Sequence, residues 1–338
     1  MTVIDGNKEF EPLLSIIVVT WNGKKYAIEC LESLQVNLDN LSAEVIIVDN
    51  ASTDGTPEAI RIQFPNVTLI ENHANLGFAK ANNIGMALSR GRYLCLVNSD
   101  VVIPPGCLEK MVEFLEAHPG IGVLGPKMLS PAGSVVSSVR RLPTVWNTLC
   151  CALGLHRIFP RSAMLGGFSM DVKGFDTVQN VEVVTGWFWM IPRKALQSVG
   201  GLDEQFFMYG EDIDWCRRFR EAGWQVVYYP YIGALHYGAA SSGEAPVRFY
   251  VEMRRANLQY FRKHHGAIGI LGYRFAIWIH ELFRVIGNSL IYCYNGRRRT
   301  EVAFKVQRSI ACIRWLMGDC SLLTNPIIVS ECAPRKAI

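Results

Sequence analysis

The hydrophobic positions of this chain change their period several times along its length. LSIIVVT (14–20) is an unbroken β-branched and aliphatic run, the pattern of a strand buried on both faces. Residues 24–36 then place Tyr26, Ile28, Leu31 and Leu34 at helical spacing. EVIIVDN (44–50) predicts a second buried strand. Pro57, shortly after Asp54-Gly55, predicts the opening of a helix, where its missing N–H is harmless. VTLIEN (67–72), FAKANNIGMALSR (78–90) and RYLCLVNSD (92–100) continue as strand, helix and strand. Strand–helix alternation with short links predicts a largely parallel sheet with right-handed crossovers. After residue 130 the pattern loosens, and 130–144 and 165–176 read as loops. VEVVTGWFWMI (181–191), a short helix from Arg193, a helix over 211–222 and the strand WQVVYYP (224–230) restore regular structure. From 246 to about 318 the chain reads as helical, basic and aromatic.

Composition adds an asymmetry. The 338 residues are half hydrophobic, enough for one large α/β domain with an appendage. Residues 1–245 hold 19 Lys and Arg against 25 Asp and Glu, whereas residues 246–338 hold 15 against 5. A basic tail on an acidic body predicts an anionic partner for the tail, nucleic acid and anionic lipid being the candidates on charge alone. The ten cysteines show no C-x-x-C spacing, which predicts free thiols in a reducing compartment and no zinc site. The N-terminal MTVIDGNKEFEP does not read as a signal peptide. The stretch 266–294 is interrupted by Arg274, His280, Glu281 and Arg284, so it does not read as a membrane span.

In open parallel sheets ligands bind beyond the carboxyl ends of the strands. The polar residues expected there are Thr20 to Asn22, Asp49-Asn50, Glu71-Asn72 and Asn98-Ser99-Asp100. One such Asp is as readily a helix cap; two on neighbouring units, with Asn22 and Asn75, favour a site. Neither G-x-G-x-x-G nor a P-loop is present, so a diphosphate bound here needs a divalent cation, Mg2+ or Mn2+, for which Asp100 is the candidate ligand. Glu211, Asp212 and Asp214 crowd the start of a helix behind the apolar Phe206 to Tyr209. Helix N-terminal charge bias accounts for one or two of them. A carboxylate beside such a wall is also a candidate general base.

Several ordered motifs then carry a resemblance: SIIVVTWNG (15–23), EVIIVDNASTDGT (44–56), NLGFAKANNIG (75–85), LVNSDV (96–101), TGWFWMIPRKALQSVGGLDEQFFMYGEDIDWCRR (185–218) and HYG (236–238). Together they resemble family 2 of the glycosyltransferases, with the GT-A fold, and within it the bacterial rhamnosyltransferase-like group. The resemblance implies an α/β catalytic domain over 1–245, with a nucleotide-binding half at about 13–125 and an acceptor-binding half at about 126–245. It implies that Thr20, Asn22, Asp49, Asn50, Ser52, Asn75, Gly77, Lys80, Asn83, Asn98 and Ser99 surround a dTDP- or UDP-sugar. Asp49 would accept the N3–H of the pyrimidine. Asn98-Ser99-Asp100 stands at the family's D-x-D position with Asn for the first Asp, so Asp100 would bind the metal, with His236 nearby. Asp212 would be the base, with Glu211 orienting it or exchanging roles with it. Gly186, Trp187 and Trp189 would face the acceptor; the alternation of the two tryptophans equally fits core packing.

The expected reaction is an inverting transfer of a sugar, L-rhamnose first among the candidates, to a glycan or polyprenyl-diphosphate-linked saccharide in cell-surface polysaccharide synthesis. With that chemistry upstream, the basic tail is expected on anionic lipid at the cytoplasmic side of the inner membrane rather than on nucleic acid. A helical cap or a homodimer contact is the other reading of the tail. The rival enzyme class is a sugar nucleotidyltransferase, which would need a Gly-rich basic loop after the first strand; the non-enzymatic rival is a scaffold on the same fold.

Overall fold

The computed structural model of the chain describes residues 12–38, 41–162, 164–168, 170, 176–238, 246–294, 299–319 and 321. They form two compact units. The first spans Met1–Arg140, Val172–Phe207 and Glu211–Ser241; the second spans Arg141–Asp171, Met208–Gly210 and Ser242–Ile338.

The first unit opens with β1 (Leu14–Thr20), α1 (Lys24–Leu38), β2 (Ala43–Asp49), α2 (Thr56–Gln63), β3 (Thr68–Glu71), α3 (Phe78–Leu88) and β4 (Tyr93–Asn98). These match the expected elements to within about two residues. β1 pairs in parallel with both β2 and β4, and β2 with β3. Ile16, Val18, Ile47 and Val97 join one apolar cluster because both faces of these strands are covered. Gly85 lets α3 lie against β1: a Cβ there would sit 2.5 Å from Ile17 Cγ2.

Next come β5 (Val101–Val102), α4 (Cys107–Ala117), β6 (Ile121–Leu129), β7 (Val135–Val136) and β8 (Val139–Arg140). In the second unit α5 (Val145–Ala152) and α6 (Leu155–Ile158) follow. The first unit then resumes with β9 (Gln179–Asn180), β10 (Val183–Val184), β11 (Phe188–Pro192), α7 (Arg193–Val199), α8 (Glu211–Glu221) and β12 (Gln225–His236). The main sheet runs β3-β2-β1-β4-β11-β6-β12-β5. β11 enters between β4 and β6 antiparallel to both, so the mixed sheet keeps a parallel half. Residues 181–191, expected as one run, break at Thr185 to Trp187 into two strands that belong to different sheets.

In the second unit, α9 (Pro246–Tyr294) is interrupted at Gly266, which lies at φ 61°, and α10 (Arg299–Leu316) packs on it. α5 packs on α9 as well. Its N-terminus is capped reciprocally: Asn147 N donates to Thr144 Oγ1, and Thr144 N donates to Asn147 Oδ1. The described part of 141–171, read from sequence as belonging to the catalytic body, therefore groups with the C-terminal helices. No helix of the described residues is long and apolar enough to cross a membrane. The eight described cysteines are free.

Candidate active site

The carboxyl ends of β1 and β2 carry the first half of the site. Asn22 and Ala51 both adopt left-handed backbone, at φ 48° and 61°, and turn the two loops toward each other. Asn22 N donates to Ser52 Oγ at 2.9 Å, and Thr53 N donates to Asn22 Oδ1 at 2.8 Å. Asp54 accepts from Lys24 N, which ties the same loops again. Ser52 N donates to Asp49 Oδ2 at 2.8 Å. The other oxygen, Asp49 Oδ1, is buried with no hydrogen-bond partner among the described residues, as is Thr20 Oγ1. Asp49 is 1% exposed. Burial pushes its carboxyl up from the usual range, and the hydroxyl and amide of Ser52 offset part of that. A buried acceptor without a donor costs about 1–3 kcal/mol, so Asp49 Oδ1 is a position where a ligand N–H would be stabilising.

Asn50 braces the opposite wall. Its amide donates to Gly77 O at 3.2 Å and accepts from Asn72 Nδ2 at 2.9 Å. Gly77 sits at φ 84°, with its N–H on Asn75 Oδ1 at 3.0 Å. A Cβ at Gly77 would lie 2.3 Å from Phe207 O, so only glycine fits this turn. Asn72, expected at this strand end but given no role by the resemblance, is thus part of the wall. Lys80 is exposed on α3 and joins none of these bonds. Asn83 departs from expectation: its Oδ1 accepts from Leu202 N, and its Nδ2 donates to Leu202 O and Glu204 Oε1, all at 2.9 Å. Both ends of its amide are engaged by the protein, so Asn83 tethers α3 to the 202–204 turn instead of facing a nucleotide.

The second half gathers where β4 ends. The two-residue β5 pairs antiparallel with the end of β12, setting His236 opposite Val101. His236 Nε2 consequently lies 3.1 Å from Asp100 Oδ1 and 3.5 Å from Asn98 Nδ2. Tyr237 N donates to Asp100 O at 3.0 Å, and Tyr237 Oη donates to Glu29 at 2.6 Å, which fixes the strand end. Asn98 Oδ1 is buried without a partner among the described residues. Ser99 occupies the turn between Asn98 and Asp100. A carboxylate, an imidazole and an amide oxygen are donors that a hard divalent cation accepts. Among the described residues no group of three or more His, Cys, Asp or Glu side chains that could hold a metal ion occurs.

Trp187 joins this group to α8. Its ring stacks on His236 with centroids 5.5 Å apart, and its carbonyl accepts from Asn98 N at 2.9 Å. The neighbouring Gly186 lies against Asp212: a Cβ at 186 would stand 3.5 Å from Asp212 Cβ. The chain of contacts Asp100–His236–Trp187–Gly186–Asp212 thus places both aspartates in one neighbourhood. Both are buried, at 8% and 7% exposed. Glu211 is buried beside Asp212 in the first turn of α8. Asp214 separates from the pair, because Arg218 Nε donates to it at 2.8 Å while the same guanidinium bonds the carbonyls of Val199 and Gly201. Trp189 is a correction: it is 0% exposed, its Nε1 donates to Val184 O at 3.1 Å, and its ring packs edge-on to Trp215. It is a core residue with no face for a sugar. Trp187, 2% exposed, has its ring face on His236, yet its Nε1 has no partner among the described residues.

The model of the family described as glycosyl transferase family 2 matches residues 15–200, more than half of the chain. The chain belongs to glycosyl transferase family 2. It is similar to the N-acetylglucosaminyl-diphospho-decaprenol L-rhamnosyltransferase of Mycobacterium tuberculosis, 30% identical over 273 residues that cover 75% of this chain and 85% of that one. It is also similar to a low-salt glycan biosynthesis hexosyltransferase of Haloferax volcanii, 24% identical over 66% of each chain. Among solved structures, a mannosyltransferase of Pyrobaculum calidifontis in complex with GDP-mannose and Mn2+ matches 90% of this chain and 88% of its own. Its TM-score is 0.52 and its sequence identity 18%, which shows the shared fold. This family 2 glycosyltransferase is accordingly an enzyme with a GT-A catalytic fold.

Proposed function

We propose that the enzyme transfers L-rhamnose from dTDP-rhamnose to a hydroxyl of a polyprenyl-diphosphate-linked saccharide, with inversion, at an anionic membrane surface on its cytoplasmic side. The observation that carries the chemistry is the shared neighbourhood of Asp100, His236 and Asp212. The name of the mycobacterial relative supports the donor sugar and the lipid-linked acceptor. A UDP-sugar would meet the same pyrimidine-facing groups.

The residues divide the work. Asp49 Oδ1 accepts the pyrimidine N3–H, while Asn50, Asn75 and Gly77 shape the wall beside the nucleotide. Asp100 and His236 would hold Mg2+ or Mn2+, which would offset the charge of the leaving diphosphate. Asp212 takes the proton of the acceptor hydroxyl as bonding to the anomeric carbon begins. Gly186 lies against Asp212, where a side chain would press on the ring of Trp189. Attack on the face opposite the leaving diphosphate inverts the anomeric centre, through an oxocarbenium-like transition state.

The test is a product analysis with dTDP-rhamnose and a short-chain lipid-diphosphate acceptor. Release of dTDP, an anomeric configuration opposite to the donor's, and loss of turnover in EDTA with recovery on adding Mn2+ or Mg2+ are expected. Pyrophosphate release would replace this reading with nucleotidyl transfer. Full turnover in chelator would remove the metal from it.

A further inference from the structure

A cavity of about 340 Å³ opens in the second unit where the turn between α5 and α6 meets α9 and α10. That volume lies at the lower end of small-ligand sites, about 300–1,000 Å³. Its chemistry is one-sided. Arg157, Arg284 and Lys305 line it, and among the described lining residues there is no carboxylate. His280, Arg284 and Asn288 stand four residues apart, so a single stripe of α9 supplies all three to the wall. Every lining residue belongs to the second unit, whereas Asp100, His236 and Asp212 belong to the first.

The protein's own groups do not neutralise this wall. Glu281, next to His280 on α9, is engaged elsewhere: Arg254 Nη2 lies 3.1 Å from it and Tyr250 Oη donates to it. Lys305 pairs with Glu301, but both side chains are partly exposed, and such a surface pair carries little weight. α5 ends in the lining, and a helix C-terminus attracts cations with about half a charge. Three cations exceed that, and Leu149 O and Cys151 O already accept from Leu153 N and Gly154 N. Arg284 Nε is buried with no hydrogen-bond partner among the described residues, and Asn288 Nδ2 is taken by Arg284 O at 2.7 Å. Burial pushes His280 down to about 4, with Arg254 and Arg284 adding to it, so its imidazole is neutral near pH 7. A buried donor without an acceptor, held among like charges, is destabilising until an anion joins it.

We propose that the Arg157–Arg284–Lys305 cavity binds a diphosphate monoester. Guanidinium groups match phosphate oxygens in geometry, and Lys305 adds a point charge. A diphosphate monoester brings about three negative charges, about two on its terminal phosphate and one on the inner, which balances the three cations. A phosphodiester brings a single charge and leaves the excess standing. Leu153 and Phe283, both exposed in the lining, offer apolar surface to the esterified group. The inference goes beyond the sugar transfer proposed above and does not depend on it, since it needs neither the metal nor Asp212.

Calorimetry on the full chain in EDTA tests it, because chelation removes the divalent cation proposed at Asp100. The probes are geranyl diphosphate, dTDP, and dihexanoyl phosphatidylglycerol below its micellar concentration. Geranyl diphosphate should bind once per chain, and the phosphodiester about tenfold more weakly. R157Q, K305Q and R284Q should each weaken geranyl diphosphate binding about 10-fold. D100N should leave it unchanged. R157Q and K305Q change exposed or partly exposed side chains, and an unchanged melting temperature would show that they are folded. A second dTDP site that is lost in K305Q would show a nucleotide as the ester; dTDP binding indifferent to K305Q would show a lipid diphosphate. Binding of neither diphosphate, or binding indifferent to all three pocket variants, overturns the site. Loss of geranyl diphosphate binding in D100N places the ligand at the first unit and overturns it too. Phosphatidylglycerol bound as tightly as geranyl diphosphate overturns the diphosphate as occupant.

Discussion

Asp49 Oδ1 is an acceptor inside the protein with no donor of its own. An ionised acceptor taking a hydrogen bond from a ligand is worth about 1.5–3 kcal/mol. Asp49→Ala should therefore weaken nucleoside diphosphate binding about 10- to 100-fold by calorimetry, with unfolding still cooperative. An unchanged affinity would mean that the pyrimidine binds elsewhere. Asp212 and Asp214 lie two residues apart on α8 and still face different tasks. Asp214 is held by Arg218, while Asp212 lies beside Gly186. The acidic pattern alone presents them as one group and the family resemblance picks out Asp212; the partners of each side chain show why Asp214 stands apart.

The Asp214–Arg218 pair clamps α8 to the end of α7 through the carbonyls of Val199 and Gly201. Asp214 is fully buried, and breaking one side of a buried pair costs about 3–5 kcal/mol. Asp214→Ala should lose stability of that order in a denaturant titration, and a loss under 1 kcal/mol would contradict the clamp. In the second unit, burial and then Arg254 push His280 on α9 down to about 4. An unfolded imidazole titrates near 6.5, so folding favours the neutral ring. Its contribution is complete above pH 6.5 and is lost as the pH falls toward 4, by about 3 kcal/mol in all. Melting temperature from pH 7 to 4 should fall less steeply in His280→Leu than in wild type; equal slopes would contradict this. The legibility of the elements follows their packing. β1, β2 and β4 are dense β-branched runs covered on both faces, and they read directly. β6 did not, because Gly122, Gly125 and Pro126 dilute its pattern; Gly125 is needed there, as a Cβ would lie 2.4 Å from Val184 Cγ1. α5 has no such signal, because it follows the loop-like 130–144 and its capping box, Thr144 with Asn147, lacks a Glu.

At the scale of the whole molecule, the first unit holds the loops after β1 and β2, the Asp100–His236 pair and Asp212, and the second unit holds the basic helices. The strand-end residues of the site were readable because an open parallel sheet exposes that edge to ligands. The nearness of His236 to Asp100 followed from the family resemblance and not from the local pattern, since it depends on a two-residue strand, β5, whose pairing with β12 has no local signature. The same limit hid the fates of Trp189 and Asn83, whose partners come from outside their own motifs. The central claim is that Asp212 deprotonates the acceptor. It is tested most directly by measuring turnover and donor binding of Asp212→Asn side by side. A fall in kcat of about 10²–10⁴-fold with the donor's Kd within twofold of wild type is predicted. Near-normal kcat in that variant would contradict it.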